Sequence, residues 1–140
     1  MISIRNYTND DYQGVKALLQ EADLFASTWD SQENLKGMIL QDRESILVAV
    51  EGNVIVGNIF IIPFGPKVAH LYRLVVKKEY RKRGIASQLI QKAESIIKKK
   101  GGVEIGLYVD TQHEELKTFY KKRNFKTSGK EFIHMWKELH

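Results

Sequence analysis

The chain has 140 residues, and residues 1–140 are expected to form one domain burying roughly two-thirds of the surface its unfolded form exposes. It contains no cysteine, which excludes disulfides and cysteine nucleophiles and fits a reducing compartment. No stretch approaches the ~20 apolar residues of a membrane span, and Met1-Ile2-Ser3-Ile4-Arg5 lacks a signal-peptide core, so a cytoplasmic protein is expected. Lys and Arg number 22 against 17 Asp and Glu, a formal charge of +5 that favours an anionic partner. The excess is concentrated at residues 77–83, 98–100 and 117–126, whereas the first 35 residues lean acidic.

Ile2 and Ile4 alternate with Ser3 and Arg5, predicting an opening strand. Thr8 or Asn9 can cap a following helix with Tyr12, Val15, Leu18 and Leu19 at helical spacing. A loop through residues 23–29 leads to a second short helix, capped by Asp30 or Ser31, with Leu35, Met38 and Ile39 on one face. Residues 45–50 and 54–62 predict a hairpin turning at Glu51-Gly52-Asn53, and Pro63 to Pro66 breaks the chain. Residues 68–76 form a further strand.

Residues 85–100 give the strongest helical pattern, with Ala86, Leu89, Ile90, Ala93, Ile96 and Ile97 as its apolar stripe. Lys98 to Lys100 suit its C-terminal dipole, and Gly101 ends it. A strand at 103–109, a helix at 113–123 and two last strands at Phe125 and 132–136 complete the order β-α-α-β-β-β-α-β-α-β-β. The fold expected is therefore a mixed, mostly antiparallel α/β sheet of about seven strands. It has a central parallel βαβ crossover and about four helices on both faces.

That crossover sets the N-terminus of helix 85–100 just past the end of strand 68–76, where unpaired N–H groups make an anion site. Gly84 allows close backbone approach or a positive φ. Arg81, Lys82 and Arg83 stand at the positive end of the helix dipole, where cations cost a few tenths of a kcal/mol each unless an anion binds. The alternative is a set of solvated cations beside an ordinary glycine turn.

The turn reads Arg81-Lys82-Arg83-Gly84-Ile85-Ala86, an Arg-x-x-Gly-x-Ala pattern. It resembles the signature of the GNAT acetyltransferases, Gln/Arg-x-x-Gly-x-Gly/Ala, set between a strand and a long helix. Leu74-x-Val76 matches the family's apolar strand end, and Phe119-Tyr120-x-x-x-Asn124-Phe125 resembles its later Leu/Phe-Tyr-x-x-x-Gly-Phe segment. The element order matches from end to end.

The resemblance implies that acetyl-CoA is the acyl donor, with no metal. It implies further that the N–H groups of Arg81, Lys82, Arg83, Gly84, Ile85 and Ala86, with Ser87 following, hold the pyrophosphate. Leu74, Val75 and Val76 would pair with the pantetheine arm in a gap between the splayed parallel strands. Two positions depart from the family: Asn124 replaces its glycine but tolerates positive φ, and His113 replaces its asparagine beside the arm.

By the same resemblance the reaction is N-acetylation of a primary amine by direct attack. Tyr120 matches the family's general acid, since a phenol with a pKa near 10 is protonated at neutral pH. The alternative for Tyr120 is a half-buried helix residue packed beside Leu116. His70 lies six residues before Val76, where some members place a catalytic glutamate, and imidazole has a fitting pKa. It can equally be an ordinary strand histidine, with water chains serving as base. A backbone N–H near Val75 or Val76 would stabilise the oxyanion. The four histidines, His70, His113, His134 and His140, are too scattered for a zinc site.

The acceptor is expected against the early helices and their loop, where Phe25, Trp29, Asp23, Asp30 and Glu33 stand. Acids near aromatics can receive a cationic amine, or Phe25 and Trp29 pin the loop while Asp30 caps a helix. A monomer or homodimer fits the family. Two other readings of the chain are a basic nucleic-acid-binding module and a GNAT-fold acyl-CoA sensor without turnover.

Overall fold

In the computed structural model, which describes residues 1–139, the chain opens on strand β1 (Ile2–Asn6). A 3-10 turn at Asn9–Asp11 follows; there the Thr8 N–H donates to Asp11 Oδ2 at 2.8 Å. Helix α1 (Tyr12–Glu21) turns Val15, Leu18 and Leu19 inward. Helix α2 (Gln32–Gln41) is capped by Ser31, whose Oγ accepts the Asn34 N–H at 3.1 Å. Ser31, and not Asp30, is thus the cap. Strands β2 (Ile46–Glu51), β3 (Val54–Phe64) and β4 (Val68–Val76) run antiparallel in succession. Helix α3 (Ile85–Lys99) returns the chain to β5 (Glu104–Gly106), which pairs parallel with β4.

The sheet has the order β1-β2-β3-β4-β5. On one face Ile46, Val48, Phe60 and Val75 pack with Val15, Leu18 and Leu19 of α1 and Leu35 of α2. On the other face α3 lies over β2, β3 and β4, burying Ile85, Leu89, Ile90, Ala93, Ile96 and Ile97. Cover on both faces explains why β2 is buried without alternation from Ile46 to Val50. Each fully buried Leu or Ile in these layers contributes about 2 kcal/mol.

Pro63 does not break β3, which runs on to Phe64. The Ile61 N–H points toward β2, donating to Ser45 O at 2.7 Å, and residues two apart point the same way. Pro63 therefore turns its missing donor toward a place where β2 has already ended, and no ladder bond is lost.

The chain forms two compact units, Met1–Leu107 and the residues from Tyr108 onward. The second contains helix α4 (Glu114–Lys121), with Glu114 and Glu115 in its first turn. It closes at Asn124, whose φ of 70° is the left-handed conformation expected there. The Phe125 N–H then donates to Tyr120 O at 3.2 Å.

The sheet has five strands among the described residues where about seven were expected. Phe125 and residues 132–136 form no strand, and β5 is shorter than 103–109. A run of β-prone apolar residues makes a strand only where a partner supplies ladder bonds. After Asn124 the chain makes local turns: Gly129 N–H donates to Thr127 Oγ1 at 3.0 Å and Lys130 N–H to Ser128 Oγ at 3.2 Å. Phe132, Ile133, Met135 and Trp136 are exposed.

Candidate functional site

The turn between β4 and α3 is built from its backbone. Lys77 N–H closes onto Val56 O at 2.8 Å, and Lys78 N–H reaches Glu21 Oε1 at 2.9 Å. Beyond Arg81 the chain alternates in handedness: Lys82 at φ 64° and Gly84 at φ 79° are left-handed, with Arg83 between them. Such alternation turns successive N–H groups to one side and makes an anion cradle.

The backbone bonds of α3 begin with Gln88 N–H to Gly84 O at 3.0 Å. The N–H groups of Lys82, Arg83, Gly84, Ile85 and Ala86 donate to no group among the described residues. A 15-residue helix adds its positive dipole end at the same place. Ile85, 1% exposed, anchors the cradle to the core, and Ser87 continues the first turn of α3. Side-chain charge is partly committed: Arg81 Nε donates to Val76 O at 3.2 Å, and the Arg83 guanidinium lies 4.8 Å over the Tyr80 ring.

β4 leads to this cradle with one edge open. Its parallel pairing with β5 covers Val68, Ala69 and His70 only, so residues 71–76 have no β5 partner. Lys77 N–H points to β3, and Val75 O faces Gly57 of β3. By alternation the peptide groups of Leu74 and Val76 face the open edge, whereas those of Val75 belong to β3. Val75 is a core residue, 6% exposed. Past His70 the two parallel strands are no longer paired, which leaves a gap in the ladder to which Leu74 and Val76 turn their peptide groups.

His70 sits where the gap closes, opposite Gly106. Its ring meets Phe64 edge-on at 4.8 Å and Tyr72 at 6.0 Å. A methyl group on Gly106 would come within 2.6 Å of His70 Nε2, so that glycine makes room for the imidazole. The structure therefore brings the cradle, the open edge and His70 together along one strand.

Tyr120 and His113 belong to the second unit. Tyr120 is 8% exposed, packed edge-on between Phe119 at 5.3 Å and Phe125 at 5.4 Å. Burial pushes its phenol up to about 12, against a smaller lowering by Arg123. The group is thus held protonated. His113 caps α4, its Nδ1 accepting the Leu116 N–H at 3.2 Å, so Nε2 is the nitrogen left to face a ligand.

The α1–α2 loop holds the acceptor candidates. Phe25 packs against the core with Lys16 Nζ 5.4 Å over its ring, and Trp29 is 51% exposed. Asp30 is buried at 1% and paired with Arg73 of β4, a pairing across the chain that local sequence patterns do not reveal. Asn58, 0% exposed in an otherwise apolar strand, donates from Nδ2 to Arg73 O at 2.7 Å. An asparagine inside an apolar run was the available signal for this polar cluster. Among the described residues no three His, Asp or Glu side chains group as metal ligands, and no helix is long and apolar enough to cross a membrane.

A family profile described as acetyltransferase (GNAT) domain matches residues 8–139. A spermidine N(1)-acetyltransferase of Thermoplasma acidophilum is 36% identical over 74% of the chain and 68% of its own length. An acetyltransferase of Sodalis glossinidius is 29% identical over 89% of the chain and 87% of its own length. Among solved structures, the PaiA N-acetyltransferase of Thermoplasma acidophilum in complex with coenzyme A superposes with a TM-score of 0.82. It is 28% identical and covers 94% of this chain and 93% of its own.

Proposed function

The chain belongs to the GNAT acetyltransferase family, and from that premise we propose that it moves an acetyl group from acetyl-CoA directly to a primary amine. The observation that carries this reading is the row of undonated N–H groups from Lys82 to Ala86, set against the open edge of β4. They suit a pyrophosphate, and the edge suits an extended arm that hydrogen-bonds like a strand. Residues 1–140 act as one acetyltransferase domain, a reading supported by a profile match that runs from residue 8 to residue 139. We take the compartment to be the cytoplasm.

Acetyl-CoA supplies an activated thioester carbonyl. Leu74 and Val76 hold the arm through their peptide groups. The Val76 N–H serves as oxyanion donor, since that of Val75 is turned to β3. His70, or water in its place, takes the proton that the amine loses as the C–N bond forms. Tyr120 gives a proton to the sulfur as the C–S bond breaks. His113 Nε2 and Ser87 complete the coenzyme's surroundings.

Phe25 and Trp29 line the acceptor side. A polyamine is the first acceptor to test, because a relative 36% identical is a spermidine N(1)-acetyltransferase. The assay is thiol release from acetyl-CoA with spermidine, a lysine peptide and a peptide with a free α-amine. Saturable release and a one-acetyl mass gain on an acceptor support the reading. Acetyl-CoA binding without release for any amine would favour a sensor, and salt-sensitive RNA binding without coenzyme binding would favour a nucleic-acid module.

A further inference from the structure

Arg73 stands in the middle of β4 at φ 55°, a conformation that side chains other than glycine rarely adopt. The β3–β4 register slips there, between Asn58 and Phe60, so the strand carries an extra residue. The slip aims Arg73 at the α1–α2 loop, and the next residue, Leu74, is the first whose peptide groups face the open edge beyond it. Strain of this kind persists only where the surroundings enforce it.

Here both ends of Arg73 are held. Asn58 Nδ2 donates to its carbonyl at 2.7 Å, and its Nε and Nη2 donate to Asp30 Oδ1 and Oδ2 at 3.2 and 3.0 Å. The pair is shielded, with 19% of the Arg73 side chain and 2% of the Asp30 side chain exposed. Asp30 in turn gathers its own loop: Oδ2 accepts the Ala26 N–H at 2.9 Å, and its carbonyl accepts the Tyr12 hydroxyl at 2.8 Å.

We propose that the Asp30–Arg73 pair is a positioning device that ties the acceptor-side loop 22–31 to the bulge of β4, so that a coenzyme on the strand edge is sensed in the loop. A purely stabilising role fits poorly. A buried ion pair is often no better for stability than an apolar pair of the same volume, and glycine would hold the left-handed position without strain. The pair joins the two segments that the proposed reaction must bring into register. The inference rests on the acetyl-CoA reading above.

Trp29 neighbours Asp30 and reports on the loop. The experiment uses the full chain with Trp136→Phe, so that Trp29 is the one indole, and follows its fluorescence while acetyl-CoA is added. Calorimetry measures binding in parallel. Arg73→Gly keeps the left-handed backbone accessible and removes the guanidinium. The expected result is a saturable Trp29 response with Arg73 present. In Arg73→Gly the response is lost, while acetyl-CoA affinity stays within about threefold. Low millimolar guanidinium ion should restore the response in Arg73→Gly, and Arg73→Lys should keep part of it.

An unchanged Trp29 response in Arg73→Gly overturns the proposal. So does acetyl-CoA binding to the Arg73 protein with no response at all. A protein with Arg73 intact that binds no acetyl-CoA contradicts the function itself, and the calorimetry separates that outcome from the others.

Discussion

The turn at 81–86, which follows β4, and the loop at 22–31, which is bound to it through Asp30, are built in opposite ways. The turn is local: handedness alternating across Lys82, Arg83 and Gly84, and the first turn of α3, make its cradle from peptide groups. The loop is held from a distance, through Asp30 to Arg73, 43 residues away. A backbone site of the first kind tolerates side-chain change wherever glycine keeps its φ. A site of the second kind depends on single side chains and fails when one is lost.

Stability measurements sharpen that contrast most. Asp30→Asn leaves the shielded Arg73 guanidinium without its counter-charge and should cost about 3 kcal/mol in denaturant unfolding. Lys82→Ala, on the exposed surface of the turn, should stay within about 0.5 kcal/mol. Equal losses would erase the distinction.

Next in size, Tyr120→Phe should lower turnover about tenfold or more, roughly 1.4 kcal/mol, with coenzyme affinity unchanged. Undiminished turnover would remove Tyr120 as the acid. Its raised pKa of about 12 carries a further consequence. The phenol stays protonated across the working range, so a limb of the rate profile near neutrality belongs to another group. If His70 is the base, the acidic limb of kcat/KM disappears in His70→Gln, and a limb left in place excludes it.

The smallest effect concerns the base of α1. Burial raises the Asp11 carboxyl, but the hydrogen bonds from Arg5 and the Thr8 N–H outweigh it and hold the group below its ordinary range. A depressed folded pKa gives stability that is present above the unfolded value near 4 and lost as pH falls through the folded one. The stability gap between the native chain and Asp11→Asn should therefore narrow as pH drops below about 4, and a gap independent of pH would contradict the pairing.

Which parts were legible in the sequence follows the same division. Gly84 allows close approach or a positive φ and Asn124 tolerates one; both stand at positive φ, because handedness is a local demand of the turn. The stripe of α3 followed from periodicity except at its start, where Ile85 and not Ala86 is buried, and the parallel β4–β5 pair followed from the crossover. Pro63 reads as a break because a sequence does not show which side of a strand lacks a neighbour. The strands expected at Phe125 and 132–136 rested on β-prone apolar residues, and such a run carries no information about a partner. Arg73 lay unremarked between apolar neighbours, since its ion pair depends on a bulge that only the register of β3 against β4 creates.

Calorimetry with coenzyme A on the native chain and on Gly84→Glu tests the cradle most directly. Glutamate adds a negative charge and a side chain where φ is 79° and the peptide N–H groups converge. The native chain should bind, and the variant should bind at least about a hundredfold more weakly, a loss of roughly 2.7 kcal/mol. Equal binding by the two proteins would contradict a pyrophosphate seat at 81–86.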